Sequence, residues 1–249
     1  MIILKSPEEV KTMGECNAIV AEVLASLKEQ IQPGVTTLYL NECAEDITQK
    51  RGAKPAFKGY GGFPFALCAS VNSEVVHGFP SERSLEEGDI ISLDYGVHYK
   101  GYYGDSAITV AVGKVSESAS RLIKVTEESL YRGIEKAREG NRLGDISFAV
   151  QRHVENAGYS VVRDYVGHGI GKDLHEDPPV PNFGVHGRGV KLKAGMVIAI
   201  EPMVNEGSYR VKTKPDGWTV VTEDGSLSAH FEHTIAVTEK GPVILSGRI

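Results

Sequence analysis

The chain has 249 residues, 41% of them hydrophobic and 24% charged, which excludes a mainly disordered polymer and allows a sizeable core. Its 27 basic and 33 acidic side chains give a formal net charge of −6 with no long block of either sign, the reverse of a phosphate-binding footprint, so no specific nucleic acid is expected. The longest apolar runs, such as FALCA at 65–69 and MVIAI at 196–200, fall far short of the ~20 residues a membrane span needs, and no secretory signal opens the chain. A cytoplasmic monomer with no membrane partner is expected.

Ser6-Pro7-Glu8-Glu9 combines a capping hydroxyl, proline at the first helical position and an acid three residues after the cap, a strong helix start. Val10, Met13, Cys16, Val20, Val23, Leu24, Leu27 and Ile31 then recur at helical spacing until Pro33-Gly34 stops the pattern. A second helix is predicted over 37–50, with Leu40, Ala44 and Ile47 inward and Gly52 ending it. From 57 to 80 the pattern is broken by glycines and prolines around a strand at 65–71, the kind of turn-rich stretch that lines a site. Strands at 90–95 and 107–112 follow, then helices at 117–138 and 145–156, and strands return to the end. Cys16, Cys43 and Cys68 are odd in number, widely spaced and form no C-x-x-C, so they read as reduced thiols.

Two segments resemble each other. EEGDIISLDYGV at 86–97 lies over KAGMVIAIEPMV at 193–204, matching Gly88 with Gly195 and Asp94 with Glu201. DSAITVAV at 105–112 lies over EHTIAVTE at 232–239, matching Asp105 with Glu232. Each half therefore presents two acids in the same order, and the chain reads as a single catalytic domain of two similar halves, about 1–115 and 116–249, with the four acids converging at the centre.

Four carboxylates at one place repel and raise one another's pKa unless cations neutralise them. Asp94, Asp105, Glu201 and Glu232 with one imidazole make an oxygen-rich set that suits two divalent ions of the Mn, Fe, Co or Zn type. His168, in GHGIG at 167–171, is the best imidazole, because flanking glycines let backbone approach a site. His175 begins an imitation of the zinc-protease pattern H-E-x-x-H, but Pro179 stands at the second histidine position and no helix passes through Pro178-Pro179. His77 and His233 are further candidates for polar work near the acids. No phosphate loop, G-x-S-x-G elbow or cysteine nucleophile context occurs, which favours a water nucleophile on metal.

These motifs together resemble the bacterial-type methionine aminopeptidases, within the creatinase-like pita-bread metallohydrolases. The resemblance runs from SPEEVKTM and IQPGVTT through VVHGFP, SLDYGVHYKGYYGDSA, GHGIGKDLHEDP, IEPMV and DGW to FEHTIAVT, essentially the whole chain. It implies an α+β pita-bread fold, a pseudo-two-fold antiparallel sheet covered by helices. It also implies that Asp94, Asp105, His168, Glu201 and Glu232 are the metal ligands, Asp105 and Glu232 bridging two ions. By the same resemblance Glu201 acts as general base, and His77 and His175 contact substrate, His175 reaching the scissile carbonyl. Tyr60, Phe63, Cys68 and Trp218 would line a methionine pocket, with Phe57 and Leu174 nearby. Two of these depart from the common pattern: Phe57 stands where a cysteine is often found, and Leu174 where an aromatic is often found. The partners implied are peptides and nascent chains with N-terminal methionine; ribosome contact is not legible.

The alternatives are a proline-directed aminopeptidase or prolidase, a creatinase-type hydrolase, and a non-catalytic peptide- or ribosome-binding relative. The first two usually carry an extra N-terminal domain, for which the 93 residues before Asp94 leave little room. The last typically loses ligands, and all five are present. Relatives with a long insertion before the last ligand strands are disfavoured by the 33 residues between His168 and Glu201.

Overall fold

The structure, a computed structural model, describes residues 1–247, so the last two residues of the expected second half lie outside it. Helix α1 (Pro7–Gln30) starts as its sequence requires: Glu9 N donates to Ser6 Oγ at 3.2 Å and Ser6 N donates to the Glu9 carboxylate at 2.8 Å. Helix α2 (Thr37–Lys50) is capped by Thr36, whose hydroxyl accepts from Tyr39 N at 3.1 Å. The glycine-rich stretch supplies the short strands β1 (Lys54–Pro55), β2 (Leu67–Val71) and β3 (Glu74–Val76), with a 3₁₀ turn at Tyr60–Gly62.

Strands β4 (Ile90–Tyr99) and β5 (Tyr102–Ala111) are longer than their sequence pattern indicates, because Gly96 and Gly104 interrupt the apolar runs without breaking the ladder. Lys100 and Gly101, at φ 51° and 81°, make the two-residue turn between them. Helix α3 (Glu117–Ile134) ends before the expected 138, the chain turning through i→i−3 bonds such as Ala137 N to Ile134 O at 2.9 Å. Helix α4 (Leu143–Asn156) begins two residues before Asp145, which proves to be the acid in its first turn: its carboxylate accepts from Arg142 N and Gly187 N, each at 2.7 Å. The remaining strands are β6 (Ser160–Val161), β7 (Gly167–Gly169), β8 (Glu176–Val180), β9 (Val197–Ile200), β10 (Met203–Asn205), β11 (Val211–Thr213), β12 (Val220–Thr222), β13 (Ser228–His230), β14 (Glu232–Thr238) and β15 (Gly241–Ile244).

Among the described residues the main sheet has nine strands in the order β1-β4-β5-β14-β9-β7-β8, with β2 on β4 and β15 on β14, and every pairing is antiparallel. Helices α1 and α2 cover the β4–β5 side, while α3 and α4 pack on each other and α3 reaches β13 and β14. This is the α+β arrangement, an antiparallel sheet covered by helices, expected from the sequence. The core between helices and sheet joins Val20, Leu24 and Leu27 of α1 with Leu93 and Tyr95 of β4 and Ile198 and Ile235 of the later strands. None of the described helices is long and apolar enough to cross a membrane.

One contact outside the sheet positions the loop before β8. Lys5 Nζ, held by Ile3 O at 3.2 Å, pairs with Glu176, and their side chains are only 4% and 7% exposed. The other Glu176 oxygen accepts from Lys172 N at 2.8 Å and Asp173 N at 3.4 Å, so this carboxylate gathers the segment that carries Leu174 and His175. Lys5→Met leaves that carboxylate buried without its cation and is expected to cost about 3–5 kcal/mol in denaturant unfolding. Lys50→Ala, at an exposed pair with Asp46, is expected to cost under about 0.5 kcal/mol in the same experiment.

Candidate active site

Strand register brings the four acids together. Asp94 pairs with Ala107 across β4–β5, and Ala107 pairs with Glu232 across β5–β14. Extending the β9–β14 ladder one residue past Ile200–His233 sets Glu201 opposite Glu232. Asp105 lies two residues from Ala107 and so emerges on the same face. Directly opposed Cβ atoms lie ~4.5–5.5 Å apart, and the small Ala107 leaves the space between Asp94 and Glu232 free for carboxylates. Hydroxyls fix the backbone there: Thr234 Oγ1 donates to Asp105 O at 2.7 Å and accepts from Asp105 N at 3.3 Å, and Ser106 Oγ donates to Glu232 O at 2.6 Å.

His168 arrives on β7, at the edge of β9. The flanking glycines are required by close approach: a Cβ at Gly167 would stand 2.4 Å from Ala199 O, and one at Gly169 would stand 2.2 Å from Asp177 O. Asp105, His168 and Glu232 each offer a ligand atom within 4.8 Å of the others. His168 Nε2 is 3.9 Å from Asp105 Oδ2 and 3.7 Å from Glu201 Oε1. Its Nδ1 donates to Gly169 O at 2.8 Å, which leaves the Nε2 lone pair facing the carboxylates. Burial lowers its pKa to about 4, so the ring is neutral at pH 7, as a metal ligand must be.

Burial pushes the Asp94 carboxyl up to about 7. Asp105, Glu201 and Glu232 rise well above the carboxylate range, by burial first and then by the charge of the neighbouring acids. Asp94 Oδ1, Asp105 Oδ1 and Glu232 Oε1 are buried with no hydrogen-bond partner among the described residues. Orphaned oxygens around one inward-facing imidazole fit divalent cations of the Mn, Fe, Co or Zn type.

The acids form the floor of a cleft of about 240 Å³, and the expected ligands, His77, His175, Tyr60, Phe63, Cys68 and Trp218 all line it. Phe63 stands edge-on to Trp218 at 5.2 Å between ring centroids, and Gly61 lies under the indole, where a Cβ would come within 3.3 Å. Trp218 is thus a cleft wall rather than a core residue. Cys68 is buried beside the floor, and burial holds its thiol far above the usual range, which removes it as a nucleophile. Phe57 and Leu174, the two departures, both line the cleft.

His77 and His175 flank the mouth of the metal floor. The His77 ring sits edge-on to Tyr165 at 5.5 Å and to Trp218 at 6.2 Å, and burial lowers its pKa to about 4. The His175 ring centroid is 4.3 Å from that of His168, and its Nδ1 shares a hydrogen bond of 2.7 Å with Tyr60 OH; in the tautomer where the hydroxyl donates, the ring proton resides on Nε2. His233, by contrast, lies on the other face of β14, against Ser246 Oγ at 2.9 Å and Tyr131 OH at 3.4 Å, away from the floor. Three site residues escaped the sequence reading: Tyr165 and Met203 in the cleft wall, and His230 behind Glu201. Met203 and His230 each stand two residues from an acid on a strand, a spacing that puts them on the acid's face.

Comparison with known proteins agrees with this geometry. Residues 11–239 match the signature of metallopeptidase family M24. The methionine aminopeptidase of Clostridium perfringens is 57% identical over 246 residues, covering 99% of each chain. A crystal structure of methionine aminopeptidase from Thermotoga maritima superposes with a TM-score of 0.97 at 50% identity, again over 99% of each chain. The prolidase of Pyrococcus horikoshii shares the fold alone, with a TM-score of 0.82 at 24% identity and 65% of its length covered. The chain has the pita-bread fold and belongs to metallopeptidase family M24, among its methionine aminopeptidases.

Proposed function

We propose that the protein removes N-terminal methionine from peptides and nascent chains by attack of water on the first peptide carbonyl, in the cytoplasm and as a monomer. The observation that carries this reading is the joining of four buried carboxylates, three of them with an orphaned oxygen, and one imidazole to a cleft of about 240 Å³ walled by Phe63, Cys68 and Trp218. Asp94, Asp105, His168, Glu201 and Glu232 would hold two divalent ions, within one catalytic domain built from two similar halves. When bound, such ions supply a water of lowered pKa, polarise the carbonyl and anchor the free α-amine.

The chain's own groups do the rest. Glu201 accepts the proton of the attacking water, its second oxygen remaining available for ligation. His175 directs Nε2–H at the carbonyl oxygen as charge develops there, because Tyr60 occupies its Nδ1. His77, neutral and held between Tyr165 and Trp218, borders the leaving side. Phe63, Cys68 and Trp218 enclose a flexible thioether, whose burial is worth roughly 1.5–3 kcal/mol. A proline-directed activity has no comparable support, since the prolidase likeness extends to the fold alone.

Metal-stripped protein reloaded with Mn, Co, Fe or Zn is expected to release methionine from Met-Ala-Ser and to leave Ala-Pro peptides intact; no methionine with any metal overturns the reading. Glu201→Gln is expected to lower kcat by at least about 10²–10⁴-fold. Trp218→Ala is expected to raise KM for methionine peptides roughly 10- to 100-fold with a smaller change in kcat, and equal kcat losses in the two variants would contradict the assigned roles.

The raised carboxyl pKa values give the metal-free protein a pH dependence. A carboxyl whose folded pKa is above its unfolded one retains a proton that unfolding releases, so its contribution to stability is full below the unfolded value and is lost as pH rises through the folded one. For Asp94 that window runs from 3.8 to about 7. The buried histidines, His77 and His168 lowered to about 4, act in the opposite direction up to their unfolded value of 6.5, so the Tm of stripped protein is expected to fall only above about pH 7, and saturating metal to flatten that slope. A stripped protein as flat as the loaded one would count against cation-neutralised acids.

A further inference from the structure

Outside the five ligand residues, His230 is the one side chain with two buried polar atoms that find no hydrogen-bond partner among the described residues: both of its ring nitrogens. The residue is 1% exposed. Its backbone has no freedom, since its N–H donates to Thr109 Oγ1 and its carbonyl accepts from the same hydroxyl, each at 2.8 Å, and Thr109 is itself bonded to Ser92 Oγ at 2.9 Å. The register of β10 with β13 pairs His230 with Met203, two residues beyond Glu201 on the neighbouring strand, so the imidazole and the carboxylate share a face.

The two oxygens of Glu201 look in different directions. Oε1 faces His168 Nε2 at 3.7 Å, and Oε2 faces His230 Nε2 at 3.8 Å. The main chain of Glu201 is held separately, its carbonyl accepting from Asn182 Nδ2 at 2.9 Å. What remains free is the rotation of the carboxylate, and the group placed to govern it is the His230 ring. A shift of about 1 Å, within reach of a small side-chain rotation, closes the Nε2–Oε2 gap to a hydrogen bond. His77, the other imidazole on that side, packs edge-on against Tyr165 and Trp218 and gives His230 no hydrogen bond.

We infer that His230 is a positioning residue for Glu201, donating Nε2–H to Oε2 so that Oε1 is turned toward the metal floor. The inference rests on the proposed reading of Glu201 as ligand and proton acceptor. It explains why a polar ring is buried where an apolar one would fold at least as well: a donor behind a ligating carboxylate fixes its orientation and basicity, and losing such a partner typically lowers metal affinity or activity 10- to 100-fold.

His230→Met and His230→Gln separate this role from packing, because the two side chains are close in size and only glutamine can donate. Three quantities decide: kcat and KM for Met-Ala-Ser with the reloaded enzyme, Co²⁺ affinity of the stripped protein by calorimetry, and Tm. His230→Met is expected to lose at least about tenfold in kcat or in Co²⁺ affinity, with KM within about threefold and Tm held or raised, while His230→Gln stays within about threefold of the parent. A methionine variant with parental kcat and Co²⁺ affinity overturns the inference. So do equal losses in both variants with a lowered Tm, which would make His230 a packing residue. If His230→Met does not fold, His230→Leu takes its place against the glutamine variant. Should the parent protein release no methionine with any metal, the proposed activity fails, and Co²⁺ affinity still decides the role of His230.

Discussion

Everything at the centre of this molecule follows from burying four carboxylates within one another's field. Isolated, each would bear a desolvation cost of several kcal/mol, and together they repel at short range in a medium of low effective dielectric. The upward displacement of all four pKa values expresses that conflict. The protein can relieve it by binding protons or by binding cations, and the inward Nε2 lone pair of His168 favours the latter. The acids must also be held against their own repulsion. A sheet does this well, since ladder pairing fixes the backbone of Asp94, Asp105 and Glu232, and Glu201 follows directly on the last paired residue of β9.

The scaffold around the acids is correspondingly specific. Ala107 is small where three carboxylates need room, and Thr234 and Ser106 use hydroxyls to pin the carbonyls of Asp105 and Glu232. Gly167 and Gly169 allow β7 to press against β9 and β8 closely enough to deliver His168. The same ladder offset joins His233 to Ile200 and His230 to Met203, so Glu201 and Glu232 sit at an interruption within one continuous antiparallel register. That interruption, at Pro202 and Phe231, leaves Glu201 outside the ladder while Glu232 stays paired with Ala107 and their neighbours stay locked.

Much of this was legible in the sequence because it is local. The Ser6–Glu9 capping box and the Thr36 cap are short-range hydrogen bonds between residues three apart, and α1 and α2 begin where those residues stand. The matched Asp94–Asp105 and Glu201–Glu232 pairs were visible because each acid borders a short apolar run, although Asp94 and Asp105 lie inside β4 and β5 rather than at their ends. Strand lengths were less legible: Gly96 and Gly104 look like breaks, yet partners on both sides sustain β4 and β5 through them. Long-range relations left no local sign. Whether Trp218 is core or wall depends on Gly61 and Phe63, some 155 residues earlier in the chain, and the separation of His233 from the floor depends on Ser246 and Tyr131 coming to its side.

The division of labour between sheet and loops explains why the floor and the cleft differ in how tightly they are specified. Acids on paired strands tolerate no displacement, whereas the cleft is walled by loop residues that can exchange volume. Phe57 and Gly96 illustrate this. A Cβ at Gly96 would lie 2.6 Å from the Phe57 ring, so the aromatic at 57 occupies space that a side chain at 96 would need. Leu174, smaller than the aromatic often found at its position, belongs to the same apolar cluster, against which Phe57 packs. Bulk gained at one position and given up at its neighbour keeps the wall apolar and filled, the kind of volume-conserving exchange that packed interiors accept at under about 1.5 kcal/mol. The two departures from the common pattern thus fall in one apolar cluster of the cleft wall, where such an exchange leaves the carboxylate floor untouched.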